Sequence, residues 1–183
     1  GGIDYKYANG LVERITLGPR RYEKYTYDDE RKIIRSEQFR KDNEVEGFKI
    51  VFDVEYIYNN QTLVKAIDDV DNEYYEFFYQ NNSLNIDSLK TYKEGGQLLK
   101  TELFEYDEFN NIYKNLRTPK FNYFWNLKHH TTNNIKKHTI ISFEGVPDTI
   151  IFVYTFGYNG FGFPMTVKSS WNSIKRISYI NCK

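Results

Sequence analysis

At 183 residues and 22.0 kDa the chain has the length of one domain, long enough to bury about 70% of its unfolded surface without disulfides. Its 25 Lys and Arg balance 25 Asp and Glu, so no long-range field draws it to a polyanion, which argues against nucleic acid as a partner. Mean hydropathy is −0.69, and no apolar run approaches the roughly 20 residues that a membrane-spanning helix requires.

Residue usage is that of strands. Seventeen Tyr and 14 Phe stand against two alanines, Ala8 and Ala66, and aromatic side chains fit a pleated surface where a helical protein would use alanine freely. No initiator Met or signal peptide opens the sequence; Gly1 is read as the residue left by cleavage of a tag, which places the natural start upstream. Cys182 is the only cysteine, so no intrachain disulfide forms.

In chain order one pattern recurs six times: an aromatic-x-aromatic step, a polar turn and an aliphatic return. Tyr5-Lys6-Tyr7 leads through Asn9-Gly10 to Leu11, and Tyr25-Thr26-Tyr27 through Asp28-Asp29 to Ile33-Ile34. The charged stretch Ser36 to Glu46 follows and is read as an extended hairpin tip or loose loop. Tyr56-Ile57-Tyr58 then leads through Asn59-Asn60 to Leu63-Val64, and Phe77-Phe78-Tyr79 through Asn81-Asn82 to Leu84. Phe104-Glu105-Tyr106 runs through Asn110-Asn111 to Ile112, and Phe156-Gly157-Tyr158 through Asn159-Gly160 to Phe163-Pro164-Met165. Aromatics two apart share one face of a strand, Asn, Asp and Gly tolerate tight turns, and an alternating strand returns, so each unit is predicted to be a hairpin.

The rhythm fails once, over an insert at about 115–144 that holds Pro119 and the cluster Phe121, Tyr123, Phe124, Trp125 and Leu127. Phe121, Phe124, Trp125 and Lys128 lie at helical spacing, which predicts a short helix. A strand resumes at Thr139 to Phe143, and Ile150, Phe152, Tyr154, Phe156 and Tyr158 share a face of the next. The last strand is placed at Ile177 to Ile180.

These hairpins, over residues 5 to 113 and 150 to 168, resemble the tyrosine-aspartate repeats of RHS-type surface proteins. They look more closely like a family of Bacteroidetes lipoproteins of unknown function with a porin-like β fold. Asn110-Asn111-Ile112-Tyr113-Lys114-Asn115-Leu116 is similar to that family's Asn-Pro-Phe-x-Asn-Leu segment, with Asn111-Ile112-Tyr113 in place of Asn-Pro-Phe. The resemblance implies an exported protein, anchored by lipid on a cysteine upstream, at the periplasm or outer-membrane surface. It implies no activity and no functional residues.

No constellation reaches the level of a catalytic motif. His129, His130 and His138 carry imidazoles, the commonest metal ligand, yet no carboxylate or thiolate lies near them in sequence, and a solvated polar loop is the simpler reading. Asp68, Asp69, Asp71 and Glu73 offer oxygens to a hard cation but lack the central Gly and distal Glu of the standard calcium loop, so a hairpin turn is expected. Gly157, Gly160 and Gly162 lack the Lys-Ser/Thr of a phosphate loop and are read as turn glycines. Cys182 beside the C-terminus is a poor nucleophile candidate, and 25 carboxylates single out no glycosidase pair. Most of the aromatic ladder is assigned to the core; the aromatics off it, Tyr123, Trp125 and Trp171, are the candidate ligand contacts.

The sequence thus predicts a single all-β domain over 1–183: an antiparallel meander of tandem hairpins forming a strongly curved or barrel-like sheet, with one insert holding a short helix. The expected role is a non-enzymatic binding or scaffold module for a glycan or another envelope protein, without cofactor or metal, and with a hydrolase as the alternative. An integral barrel is disfavoured because the strands look six to eight residues long and Glu23 and Glu102 share the faces of their strands' aromatics.

Overall fold

The computed structural model describes residues 2–42, 47–81, 83–111 and 131–170, and the backbone of 174–176. Among the described residues there are thirteen strands and no helix. The first hairpin is β1 (Ile3–Ala8) with β2 (Leu11–Leu17), the second β3 (Arg21–Tyr27) with β4 (Ile33–Arg40), and the third β5 (Lys49–Asn59) with β6 (Thr62–Asp68). β7 (Glu73–Tyr79) and β8 (Ile86–Lys93) follow, then β9 (Leu98–Asn110) with β10 (Asn133–Ser142), β11 (Asp148–Tyr158) with β12 (Pro164–Ser169), and β13 (Ile174–Arg176). The strands are hydrogen-bonded in chain order from β1 to β13, an all-β antiparallel meander.

Contacts group into two compact units. One holds the described residues up to Glu76 with Thr91–Gln97; the other holds Phe77–Lys90, residues 98–111 and the described residues from 131 onward. The core of the first is built on Val12, Ile15, Tyr25, Val54, Tyr56 and Ala66, and that of the second on Phe77, Ile86, Leu89, Leu99 and Phe104.

Return strands do not alternate as expected. Their buried residues stand three apart, as in Val12 and Ile15, Ile33 and Ser36, and Leu63 and Ala66. The cause is a β-bulge at the same place in four hairpins: the register shifts between Lys6 and Tyr7, between Thr26 and Tyr27, between Ile57 and Tyr58, and again between Gly157 and Tyr158. One extra residue on the return strand, Glu13, Ile34, Val64 or Met165, restores the next inward side chain to the core face.

In three of the steps the second aromatic closes the gap to the preceding hairpin. The β2–β3 ladder covers only Arg14↔Lys24 to Thr16↔Tyr22, leaving the carbonyl of buried Val12 beyond its end, and the Tyr27 hydroxyl donates to that oxygen at 2.8 Å. Tyr58 donates to the Ile33 carbonyl at 2.9 Å, past the end of the β4–β5 ladder at Arg35↔Glu55. Tyr106 donates to the Ile86 carbonyl at 2.9 Å, and burial pushes its own phenol well above the usual range. A buried carbonyl needs a donor, which a phenylalanine at Tyr27, Tyr58 or Tyr106 could not supply.

Several sequence expectations are corrected. Ser36–Arg40, read as part of a hairpin tip or loop, belongs to β4, where Ser36 is buried and its hydroxyl lies 2.7 Å from that of Tyr56. Ile112 was to begin the return of the fifth hairpin, but the partner of β9 is β10, which starts at Asn133 rather than Thr139. Strands of six to eight residues hold for most of the chain, yet β5 and β11 have 11, β9 has 13 and β10 has 10. The helix expected at Phe121 to Lys128 and the strand expected at Ile177 to Ile180 lie outside the described residues.

Candidate functional site

The described residues nearest in sequence to the insert form a hydrogen-bonded base. The Asn111 backbone N–H donates to the Thr132 carbonyl at 3.0 Å, and the Asn111 amide donates to the Thr131 hydroxyl at 3.1 Å. Thr131 in turn donates to the Asn133 carbonyl at 2.8 Å. Asn85 and Asn133 exchange two bonds: the Asn85 amide donates to Asn133 Oδ1 at 2.9 Å, and the Asn133 N–H donates to Asn85 Oδ1 at 3.1 Å. Asn134 gives its backbone N–H to Asp107 Oδ1 at 3.2 Å and its amide to Asp107 Oδ2 at 3.2 Å. Short amides suit the site because each carries both donor and acceptor, so they satisfy the backbone where the β9–β10 register shifts twice.

Above this base stands an aromatic rim. The Phe109 N–H bonds Asp107 Oδ1 at 3.0 Å, and on β9 Phe109 stands at the opposite parity to Phe104 and Tyr106. Phe109 stacks on Tyr158 with ring centroids 4.1 Å apart, and a Cβ added at Gly162 would stand 3.1 Å from its ring. The Tyr158 hydroxyl donates to Asp107 Oδ2, and burial, reinforced by that carboxylate, pushes the phenol up. The Asn159–Phe163 turn presents Phe161 at 84% exposure, with Asn159 Oδ1 accepting from the backbone N–H groups of Phe161 and Phe163 at 3.0 Å each. Phe109, Phe163 and Met165 are also exposed. Rigid aromatic faces above a satisfied polar base can stack or pack on a ligand; the carboxylate and amides are committed to holding them in place.

Of the residues singled out by sequence, Tyr123, Trp125, Trp171, His129, His130 and Cys182 lie outside the described residues. His138 is not in a solvated loop. It is a buried residue of β10, stacked on Phe104 at 4.7 Å and on Phe152 at 5.7 Å, with Nε2 2.6 Å from Glu102 Oε2. Among the described residues no group of three or more His, Cys, Asp or Glu is placed to hold a metal. Gly157 is not in a turn: it lies within β11, where a Cβ would meet Thr166 Oγ1 at 2.6 Å, whereas Gly160 and Gly162 are in the turn as expected. The rim itself was missed at sequence level; the signal was Phe109, whose odd position breaks the parity of Phe104 and Tyr106.

The acidic group is the β6–β7 turn. Asp68, Asp69 and Glu73 line an open pocket of about 200 Å³ with Lys65 and Glu94, and Asp68 caps the turn by accepting the N–H groups of Val70 and Asp71 at 3.0 and 3.3 Å. Burial pushes the Asp68 carboxyl up; the two N–H bonds oppose this, and the charges of Asp71 and Glu73 add to it. The folded state therefore keeps its proton to higher pH than the unfolded chain, so stability from this group is full at low pH and falls as pH rises through the ordinary carboxylate range. Asp68→Asn, whose amide oxygen accepts the same two bonds, is expected to raise the melting temperature at pH 7, with the gain vanishing on acidification below about pH 4. Calorimetric melts of both proteins across pH check this.

No family model matches the chain, and no curated protein matches it.

Proposed function

We propose that this chain is a non-enzymatic binding or scaffold module that docks a glycan or another envelope protein on the rim formed by Phe109, Tyr158 and Phe161. The observation that carries the reading is an exposed aromatic surface held by side chains whose own hydrogen bonds are satisfied. A catalytic site instead leaves titratable groups convergent on open space, and exposed aromatic area is the commonest anchor of binding surfaces. The insert residues Tyr123 and Trp125, and Trp171, are assigned to the same ligand. A bulge recurs beside the second tyrosine of four hairpins, and bulges bend and twist strands, which supports curvature within those hairpins. The module is exported and held at the periplasm or outer-membrane surface by lipid, a reading supported by the hairpin resemblance, and it takes no cofactor.

Glycan and protein arrays probed with the chain test this. Phe161→Ala, Phe109→Ala and Trp125→Ala are each expected to weaken the strongest signal by about tenfold while the melting temperature of Phe161→Ala stays unchanged. Reproducible turnover of a glycan or peptide, abolished by one carboxylate substitution, would overturn the reading. Fractionation of the full-length protein in its host tests the location, and recovery in the cytosol would refute it.

A further inference from the structure

On the sheet face that points away from Val12, Ile15 and Tyr25, strands β2 to β5 of the first compact unit carry a second aromatic cluster. Tyr22 stacks on Phe39 of the next strand with ring centroids 4.5 Å apart, and Phe48 meets Tyr22 edge-on at 4.9 Å. From β2 the Arg14 guanidinium lies over the Tyr22 ring, 3.8 Å from its centroid. Phe48 and Ile50 flank the cluster at 41% and 46% exposure. Arg14 has an aromatic partner but no anionic one: among the described residues its guanidinium makes no hydrogen bond or ion pair, Nε is sealed from water without an acceptor, and the Nη nitrogens keep their contact with solvent. Its cross-strand neighbours are both cations, Lys6 on β1 and Lys24 on β3. Elsewhere on this face a cation is met by a carboxylate: Lys24 by Glu37, Arg35 by Glu55 and Lys65 by Glu76. Like charges directly opposite one another cost stability. Lys6 and Lys24 are drawn to Glu13 at 2.7 Å and Glu37 at 3.4 Å, which leaves the middle cation of the row without a counter-ion. Packing explains the stack on Tyr22; it does not explain a guanidinium set between two lysines with its donors unspent.

We propose that Arg14 anchors a subsite for an acidic sugar, taking a uronate carboxylate or a sulfate ester end-on through its Nη groups while the apolar face of the sugar ring packs on Phe48 and Ile50. Carboxylate and sulfate each offer paired oxygens to the two parallel N–H bonds that a guanidinium fork presents. The stack on Tyr22 fixes the plane of the fork, so the donors are aimed before the ligand arrives. Exposed Phe48 and Ile50 favour a sugar over an acidic peptide, because a ring with an apolar face covers them as it pairs its anion. Peptides dock chiefly by adding a strand to a sheet edge or by entering a groove, and this surface lies on the face of strands that are paired on both sides. A zero net charge is no obstacle, since the attraction acts at contact distance rather than through a long-range field. The subsite is separate from the rim of Phe109, Tyr158 and Phe161, which belongs to the other compact unit.

Calorimetric titration of the 183-residue chain at low salt with oligogalacturonate, a sulfated dextran, neutral dextran and poly-glutamate tests the site. One of the two acidic glycans is expected to bind, and which one does so identifies the anion; poly-glutamate is expected to bind about tenfold more weakly and neutral dextran not at all. Arg14→Gln is expected to weaken the bound glycan by about tenfold, and Arg14→Lys, which keeps the charge without the fork, to recover only part of that loss. Phe48→Ala is expected to weaken it by about threefold, while Phe161→Ala leaves it unchanged and so separates this subsite from the rim. Should Arg14→Gln fail to fold, Arg14→Lys and Phe48→Ala carry the test. Binding of neither acidic glycan, poly-glutamate or neutral dextran bound as tightly as either, an affinity indifferent to the folded Arg14 variants, or an affinity lost with Phe161→Ala would each overturn the proposal.

Discussion

His138→Ala is expected to destabilise the fold by about 3–5 kcal/mol, lowering the melting temperature by about 10 °C. Two losses add. The imidazole fills the space between Phe104 and Phe152 across two ladders, where His138 lies directly opposite both, and truncation opens a cavity between the rings. The same change strips buried Glu102 of its 2.6 Å partner, while Lys100 stays 3.0 Å away at the other carboxylate oxygen. His138→Phe keeps the stack and removes only the bond, so it is expected to fall between the alanine variant and the parent. Glu102→Leu with His138→Phe removes both polar groups and is expected to regain most of the loss, since replacing a whole buried pair is tolerated far better than breaking it. Urea denaturation of the four proteins checks the order; a double variant no more stable than His138→Ala would contradict it.

Removing the inter-hairpin hydroxyls comes next in size. Tyr58→Phe leaves the buried Ile33 carbonyl without its 2.9 Å donor, and Tyr27→Phe does the same to Val12; each is expected to cost about 1–2 kcal/mol. Tyr106→Phe should match them, at the Ile86 carbonyl. The three bonds share no residue, so the triple variant is expected to lose about 3–5 kcal/mol, close to the sum. Tyr5→Phe, at an exposed ring without such a bond, is the control and is expected to be neutral. Loss of amide protection at the strand ends beside Val12 and Ile33, seen by hydrogen exchange, would locate the effect.

The hairpins were readable from the order of residues because each one is local: an aromatic step, a turn that tolerates positive φ at Asn9-Gly10 or Asn60, and an aliphatic return lie within about twenty residues of one another. That Glu23 and Glu102 share the aromatic face was readable for the same reason, from parity alone; that both are buried, and among which partners, was not. Glu23 takes the Tyr25 hydroxyl at 2.5 Å and the Gln38 amide at 2.8 Å, and the second of these comes from the next strand, placed by register.

What composition, parity and turn chemistry determined is therefore the all-β class, the antiparallel hairpins and which strand face is apolar. Tertiary structure decided the rest, because it depends on register. The bulge beside the second tyrosine converts an expected alternation into buried pairs three apart, and no local propensity distinguishes Glu13 or Ile34 as the extra residue. The role of the second tyrosine follows from ladders that stop short of Val12 and Ile33, a spacing set by how successive hairpins meet. His138 became a core residue, rather than part of a polar loop, because β10 starts at Asn133 and aligns it with Phe104 and Phe152, residues 34 and 14 positions away in sequence. Phe109, Tyr158 and Phe161 come together as a rim only when β9 and the β11–β12 turn are brought side by side, and a contact made across about fifty residues has no period for a sequence to display.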